Sequence, residues 1–320
     1  MVMIDPRLQL FRAVMLHGTI TSAAETLFRS PSGISRQLRD LSDDLGVELF
    51  EVDGRKIKPT PTAHLLLEHV EQLLRLWEIT QVNLRAQDDD IAGNLRIGAF
   101  ATALTALCPQ VVSSMARDFP RLRVRVIEAE PAECFDYLLE GEIDAALVYV
   151  TPDTPETDDA RYASMPLYRE PIDLLVASGD ELAEKTAVSL ADAVDRPWIV
   201  GPPQHSGSRQ IITACQAAGF TPRVVHEAHG WNSVAALVGE GLGVSVVSRL
   251  ARTDSAPKVV RVPLTGTAAP SRTILAYTRA GAERAPATVE LISRIVEDAK
   301  SLLAQRRTAH SGTRSEGTRE

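Results

Sequence analysis

The chain has 320 residues, of which 44% are hydrophobic and 24% are charged, a composition typical of a globular protein with about two domains. Its formal net charge of -8 argues against binding nucleic acid along its whole length, which would favour a basic chain. It contains no run of about 18 apolar residues and no leader pattern, so we expect neither a membrane partner nor secretion.

The distribution of charges and cysteines narrows the expected partners and location. Residues 1–65 carry eight Lys+Arg and eight Asp+Glu, so the acidic surplus lies in the rest of the chain. The three cysteines, Cys108, Cys134 and Cys215, are far apart and match no metal-binding or redox motif. We therefore predict reduced thiols, a cytoplasmic location, no metal site and no cofactor.

The first 30 residues predict two short helices. Asp5 and Pro6 are suited to the N-cap and first turn of a helix that ends at Gly18. Thr21 is suited to the N-cap of a second helix, which we expect to begin at about Ser22. Small alanine side chains in this second helix would let a neighbouring helix cross it closely.

A third helix is predicted to begin at Ser30 and Pro31, which are suited to an N-cap and a first helical position. Its apolar residues recur at spacings of four, three and four: Ile34, Leu38, Leu41 and Leu45. The opposite face carries Ser32, Ser35, Arg36 and Arg39. Two short helices joined by a tight turn, with a polar and basic face on the second, are typical of a DNA-reading helix-turn-helix.

A hairpin is predicted after the third helix, because Asp53-Gly54 is a two-residue turn signal between short strands. We interpret this hairpin as a wing whose basic side chains contact phosphates. A solvated basic loop is the alternative. The predicted DNA-binding residues are Thr21, Ser30, Ser32, Ser35, Arg36, Arg39, Arg55, Lys56 and Lys58.

A long helix without Gly or Pro is predicted from Thr62 to about Gln87. Its seam residues alternate at spacings of four and three, a period typical of a coiled coil. This predicted seam comprises Leu66, Val70, Leu73, Trp77, Thr80 and Leu84. A helix of this length with few contacts of its own requires a partner, so we predict pairing with the same helix of a second subunit.

Beyond Gly93, strands and helices alternate, an order that predicts parallel sheets covered by helices on both faces. The predicted strands are 95–100, 122–128, 143–150, 172–177, 198–200, 223–228, 244–248, 259–262 and 273–277. The predicted helices are 104–118, 132–140, 190–194, 207–218, 231–240 and 286–304. Residues 306–320 are rich in Ser, Thr, Gly and charge, and we predict disorder there.

The order of these features resembles that of the LysR-type transcriptional regulators. In the first 50 residues the resemblance rests on Thr21, Ala23, Ala24, Leu27, Ile34, Ser35, Arg36, Gln37, Leu38, Leu41, Leu45, Gly46, Leu49 and Phe50. Beyond Gly93 it rests on the stretches NLRIGAF, FPRLRV, LLEGEIDAALV and VGEGLGVSVVS. The implied function is sequence-specific regulation of transcription under the control of an effector.

The resemblance implies an α/β fold with an all-α, winged-helix N-terminus. Residues 1–62 would form a winged helix-turn-helix, 63–92 a dimerising linker helix, 93–305 a two-lobed effector domain built like the periplasmic solute-binding proteins, and 306–320 a disordered tail. The implied partners are double-stranded promoter DNA, a small-molecule effector, other copies of the chain in a homodimer or homotetramer, and RNA polymerase.

The implied lobes comprise about 94–166 with 268–304, and about 167–267, and are joined by two crossing strands. A cleft between them would place an effector beside helix starts, where backbone N–H groups and the helix dipole favour an anion. The effector-binding candidates are Phe100, Ala101, Thr102, Glu130, Gln204, His205, Ser206 and Trp231. The alternative for each is a loop residue without a ligand.

Some residues depart from the family pattern. Pro31 stands where the family usually has a glutamine, Val52 where an arginine is usual, and Ala63 where a glycine is usual. These differences bear on the preferred DNA sequence more than on DNA binding itself.

No GxSxG, P-loop or HExxH motif occurs, so we predict that the chain is not an enzyme. The alternative function is a solute-binding receptor or an enzyme that uses the two-lobed fold alone.

Overall fold

The computed structural model describes residues 4–53, 56–85, 91–152, 154–203, 206–252, 258–267 and 269–312. A unit of helices and a hairpin comes first, a long helix follows it, and two α/β lobes complete the chain. Buried hydrophobic residues form separate clusters in the N-terminal unit and in each lobe.

Three helices build the N-terminal unit: α1 (Pro6–His17), α2 (Ile20–Thr26) and α3 (Pro31–Leu45). Their apolar faces meet in one core, which contains Leu10, Phe11, Val14, Ala23, Ala24, Ile34, Leu38, Leu41 and Leu49. The predicted helix starts at Pro6 and Pro31 are confirmed, and so is the predicted end of α1 at Gly18.

A hairpin follows α3 and forms the wing, residues 50–59. Its strands β1 (Phe50–Asp53) and β2 (Lys56–Pro59) pair antiparallel, with Phe50 opposite Pro59. This confirms the predicted hairpin, although Gly54 and Arg55 at its tip lie outside the described residues.

Two details of the N-terminal unit differ from the predictions. The N-cap of α2 is Thr19, whose Oγ1 accepts a hydrogen bond from Ser22 N at 3.0 Å. Thr19 has the extended backbone that an N-cap requires, whereas Thr21 already lies within the first helical turn. Leu45 is 46% exposed rather than buried, because α3 ends there and Leu49 fills the core instead.

The linker helix α4 (Pro61–Arg85) confirms the predicted long helix, but the predicted seam is wrong at two positions. Leu66 and Val70 pack into the core of the N-terminal unit of the same chain. The leucines left exposed are Leu65, Leu73, Leu76 and Leu84, at 49–65% exposure. These four lie within about 100° of one another around the helix and form an exposed leucine stripe.

Another side of α4 contacts the first lobe of the same chain. Arg279 Nε donates to Glu78 Oε1 at 2.7 Å, and Arg279 Nη1 donates to two carbonyl oxygens of the lobe. Gly281 has a φ of 97°, and a Cβ atom there would lie 2.8 Å from the Arg75 carbonyl oxygen. Glycine at this position therefore lets the helix backbone approach the lobe closely.

Nine strands and six α-helices of the described residues build the two lobes. The strands are β3 (Gly93–Ala99), β4 (Leu122–Glu128), β5 (Ala145–Tyr149), β6 (Tyr162–Ala177), β7 (Pro197–Val200), β8 (Arg223–Glu227), β9 (Ser245–Ser248), β10 (Val259–Pro263) and β11 (Ser271–Arg279). The helices are α5 (Ala101–Ala106), α6 (Cys108–Asp118), α7 (Pro131–Glu140), α8 (Ser206–Ala217), α9 (Trp231–Gly239) and α10 (Pro286–Gly312). Short 3₁₀ helices lie at Glu181–Glu184 and Leu190–Ala193.

Two strands cross between the lobes. In lobe one, β3 pairs parallel with β4 and β5, and in lobe two β7 pairs parallel with β8, as predicted. The strands β6 and β11 pair antiparallel with each other. The second half of β6 continues into lobe two, where it pairs antiparallel with β9 and β10. Because β6 pairs antiparallel with β9, β10 and β11, the sheets are mixed rather than purely parallel.

The predicted helix 104–118 is two helices, α5 and α6, which meet at Leu107. Pro109 lacks the amide hydrogen that a continuous helix would use, so it lies in the first turn of a new helix instead.

The last helix, α10, is longer than predicted and continues to Gly312. The prediction of disorder is therefore wrong for residues 306–312. Gln305, Arg306 and Arg307 favour helix, so the helix propagates past the end of its apolar pattern. Residues 313–320 lie outside the described residues.

Candidate functional site

The outer face of α3 carries polar and basic side chains. Ser32, Arg36 and Arg39 are exposed, and Ser35 is half-buried. Ser30 caps the helix, because its Oγ accepts a hydrogen bond from a backbone N–H of the first turn at 3.2 Å. The opposite face of α3 is buried in the core, which fixes the direction in which these side chains point.

The other predicted DNA-binding residues belong to α2 and the wing. Thr21 is exposed in the first turn of α2, and Lys58 is exposed on β2 of the wing. Arg55 and the side chain of Lys56 lie outside the described residues. The described part of the unit thus exposes Arg36 and Arg39 on α3 and Lys58 on the wing.

An aromatic wall lies in lobe one at the carboxyl ends of β3 and β5. Phe100 is only 3% exposed, and its ring meets that of Tyr149 edge-on, with centroids 5.0 Å apart. The guanidinium of Arg272 lies 4.7 Å from the Phe100 ring centre and 5.1 Å from that of Tyr149. Phe100 is therefore held in a packed cluster rather than on an open surface.

The two lobes touch across the cleft. Trp231 Nε1, at the start of α9 in lobe two, donates to Thr102 Oγ1 in lobe one at 3.0 Å. Gln210 Nε2 on α8 donates to the Val150 carbonyl oxygen of lobe one at 3.2 Å. Two predicted effector-binding residues, Thr102 and Trp231, are thus brought together, and they bind each other.

The remaining effector-binding candidates are spread around this contact. Ala101 is half-buried beside Thr102. Glu130 is exposed at the N-cap of α7, where its Oε2 accepts a hydrogen bond from the Tyr149 hydroxyl at 3.1 Å. Gln204, His205 and the side chain of Ser206 lie outside the described residues.

A buried ion pair lies where the crossing strands meet. Arg272 on β11 is opposite Glu170 on β6, and Arg272 Nε donates to Glu170 Oε2 at 2.5 Å. Glu170 also accepts hydrogen bonds from the Ser248 hydroxyl and Leu250 N, so the pair connects the β9 end of lobe two to the aromatic wall. Arg272 Nη2 is buried and has no acceptor among the described residues.

Sequence reasoning missed Tyr149, Glu170, Gln210 and Arg272. Glu170 and Arg272 are 102 positions apart, and nothing in a single sequence links such residues. For Glu170 and Arg272 the sequence offers one signal, which is that each is a charged residue next to a run of apolar residues in a strand.

Family comparisons agree with this geometry. The profile described as the bacterial regulatory helix-turn-helix protein of the lysR family matches residues 6–64, and the LysR substrate binding domain matches residues 88–300. The chain belongs to the LysR family. It is a DNA-binding transcriptional regulator with an effector-binding domain, as the resemblance in its sequence implied.

Named relatives of this LysR-family chain are regulators. The transcriptional dual regulator GltC of Bacillus subtilis is 26% identical over 234 residues, which cover 73% of this chain and 77% of that protein. The HTH-type regulator CysB of Haemophilus influenzae is 27% identical over 263 residues, which cover 81% of this chain and 79% of that protein. The alternative of a receptor or an enzyme is therefore excluded.

Solved structures show the same fold. A full-length OxyR variant from Pseudomonas aeruginosa is similar with a TM-score of 0.63 at 23% identity, over 92% of this chain and 95% of that one. An OxyR mutant from Corynebacterium glutamicum is similar with a TM-score of 0.61 at 22% identity, over 95% of this chain and 94% of that one. In the part of the present chain that is described, no helix is long and apolar enough to cross a membrane.

The thiols of this LysR-family chain are expected to react slowly. All three cysteines are buried, and burial raises the pKa of Cys108 and Cys134 to about 12 and that of Cys215 to about 11. Because the thiolate is the reactive form, iodoacetamide at mildly alkaline pH should modify the native chain at least about tenfold more slowly than the unfolded chain. Mass spectrometry of timed samples measures both rates, and equal rates would contradict this expectation.

Proposed function

We propose that this LysR-family regulator is a cytoplasmic homodimer that binds promoter DNA through α3 and the wing and responds to a small anionic effector between its lobes. The proposed effector site rests on the contact across the cleft, where Trp231 Nε1 donates to Thr102 Oγ1. An effector that enters there has to replace this hydrogen bond. Effector binding and the relative position of the lobes are then linked.

The proposed base-reading residues are Ser32, Ser35 and Arg36. They lie in the N-terminal half of α3, and in helix-turn-helix complexes this end of the recognition helix contacts base edges in the major groove. Arg36 would read guanine through two hydrogen bonds. Phosphate contacts are proposed for Thr21, Ser30, Arg39, Arg55, Lys56 and Lys58.

The exposed leucine stripe of α4 supports the homodimer. Four leucines on one side of a helix leave an apolar surface that pairing with the same stripe of a second copy would bury. A dimer with two-fold symmetry places its recognition helices on two half-sites one or more DNA turns apart, so the DNA site should show dyad symmetry. A homotetramer of two such dimers that acts on RNA polymerase completes the proposed assembly.

Two features favour an anionic effector. Helix α8 starts at Ser206, and its Gln210 donates to lobe one, so the backbone N–H groups at the start of this helix lie near the cleft. In lobe one, the donor Arg272 Nη2 lacks an acceptor behind Phe100 and Tyr149. A carboxylate is an acceptor suited to both kinds of donor. Ala101, Gln204 and His205 remain proposed contacts around it, and Glu130 would accept a hydrogen bond from a donor group of the effector.

A bound metabolite is favoured over oxidation as the signal. Some relatives are hydrogen peroxide-inducible genes activators. Thiol-based sensing requires an accessible cysteine with a low pKa. In this chain Cys108, Cys134 and Cys215 are buried, and burial raises their pKa values. The cysteines therefore do not support a peroxide-sensing role.

The direct test is recovery of genomic DNA fragments by the full-length chain, with and without a cell metabolite extract, followed by sequencing. We expect a small set of enriched fragments with dyad-symmetric sites and a changed pattern when the extract is present. Uniform recovery of all fragments would contradict sequence-specific binding. An identical pattern with and without extract would contradict effector control.

Replacing Thr102 by valine is expected to weaken effector binding about tenfold, because valine keeps the shape of threonine but removes its hydroxyl. Thermal shift over a panel of small carboxylic acids identifies a binding acid and measures its affinity. Ser206→Ala should weaken the same response, and both variants should bind DNA normally when no acid is added.

Thr105→Val is the matched control for this prediction. Thr105 is exposed on the same helix, and its hydroxyl donates to carbonyl oxygens of α5. It should leave the thermal shift unchanged. If acids bind but Thr102→Val and Ser206→Ala both respond like the wild type, the effector lies elsewhere.

A further inference from the structure

The turn between α2 and α3 carries an aromatic side chain that the fold does not use. Phe28 is 94% exposed, the highest value among the exposed large hydrophobic residues of the described chain. Its φ of 51° lies in the left-handed region, where it is the only described residue that is not glycine. A bulky side chain is strained in this region, which asparagine and glycine adopt more easily.

The turn is held without the Phe28 ring. Phe28 N donates to the Glu25 carbonyl oxygen at 3.3 Å, and Arg29 N donates to the Ala24 carbonyl oxygen at 2.9 Å. The neighbouring Leu27 packs against the core of the unit. Phe28 therefore adds backbone strain and exposed apolar surface to the free protein, and the core gains no packing from it.

The position of Phe28 points to DNA as its partner. It lies two residues before Ser30, the N-cap of α3, so its Cα is at most about 7–8 Å from that of Ser30. This end of α3 is the end proposed to face the bases, and the adjacent Arg29 is exposed and positively charged. The apolar group that bases present in the major groove is the 5-methyl group of thymine.

We propose that Phe28 packs on the 5-methyl group of a thymine at the edge of each half-site. This apolar contact adds a thymine preference to the polar reading by Ser32, Ser35 and Arg36. It also accounts for an exposed, strained aromatic residue beside the recognition helix. The inference rests on the proposed DNA-binding role of α3 and extends it to a residue outside that helix.

The test uses the full-length chain and a DNA duplex that the chain itself enriches from a random library. Each thymine of the enriched duplex is replaced in turn by deoxyuridine, which lacks only the methyl group. We expect one thymine per half-site at which the replacement weakens wild-type binding about fourfold, the effect of one lost methyl contact. The Phe28→Asn variant should bind the unmodified duplex about tenfold more weakly and be insensitive to that replacement.

The stability of the same variant separates a DNA contact from damage to the fold. Asparagine tolerates the left-handed region, so Phe28→Asn is expected to raise the Tm by about 2–4 °C while it lowers DNA affinity. Val47→Asn is the matched control, because Val47 is 39% exposed in the same N-terminal unit. This control should leave both the affinity and the thymine pattern unchanged.

Two results would overturn the inference while the regulator function stands. One is equal affinity of the wild type and Phe28→Asn for the enriched duplex. The other is equal sensitivity of both proteins to every deoxyuridine replacement, which would place the ring on a sugar or on another protein. Failure to enrich any duplex would instead refute the proposed DNA-binding role, and this inference with it.

Discussion

Replacing Leu73 by aspartate is expected to convert the proposed homodimer of this LysR-family regulator into monomers that bind DNA weakly. Leu73 is 49% exposed on the leucine stripe of α4, so a carboxylate there leaves the core of its own subunit intact. In a paired stripe the same side chain is buried, and burying an unpaired charge destabilises the dimer by about 3 kcal/mol or more. Sedimentation velocity measures the loss of the dimer.

The same substitution should weaken DNA binding about 10²- to 10⁴-fold, because two half-sites are no longer held by one linked molecule. Leu242→Asp is the matched control, since Leu242 is a comparably exposed leucine, at 44%, in lobe two. It should leave both the dimer and the affinity unchanged. A Leu73→Asp protein that sediments as a dimer and binds DNA like the wild type would refute pairing through the stripe.

Replacing Arg36 by alanine is expected to weaken specific DNA binding by about 1–3 kcal/mol while weak binding to random DNA persists. Arg36 is exposed in the N-terminal half of α3, beside Ser32 and Ser35. Two hydrogen bonds from a guanidinium to one guanine are lost on the specific site, whereas random DNA offers no such guanine in register. Fluorescence anisotropy on the enriched and on a scrambled duplex measures both affinities.

Two further variants identify the kind of contact that Arg36 makes. Lys58→Ala removes a proposed phosphate contact, so it should weaken binding to both duplexes alike. It should also lower the number of counterions released on binding, measured from the slope of log affinity against log salt concentration, by about one. Arg284→Ala removes an exposed arginine of lobe one and should change neither affinity. If Arg36→Ala weakens both duplexes equally, Arg36 contacts a phosphate and does not read a base.

Local sequence signals predicted the N-terminal unit well. Capping residues act within one helical turn, so Ser30 and Pro31 located the start of α3. The same kind of signal was ambiguous where two threonines lie two positions apart. There the extended backbone of Thr19, rather than the sequence, decides which of Thr19 and Thr21 caps α2.

The face of α4 that could pair with a partner was not predictable from periodicity alone. Leu66 and Val70 fit the predicted coiled-coil seam, but they pack against the N-terminal unit of their own chain. The N-terminal unit covers these two residues near the start of α4, whereas Leu65, Leu73 and Leu76 stay exposed. A hydrophobic repeat shows that a helix has an apolar face, whereas its partner depends on the fold around it.

The order of units, helix α3, the wing and the alternation of strands and helices follow from local sequence signals, because caps, turns and periodicity act over a few residues. The contacts between distant side chains depend on the three-dimensional fold instead. Trp231 and Thr102 are 129 positions apart, and Arg272 and Glu170 are 102 apart. Such pairs form because the crossing strands β6 and β11 bring distant segments together, and no local pattern encodes that approach.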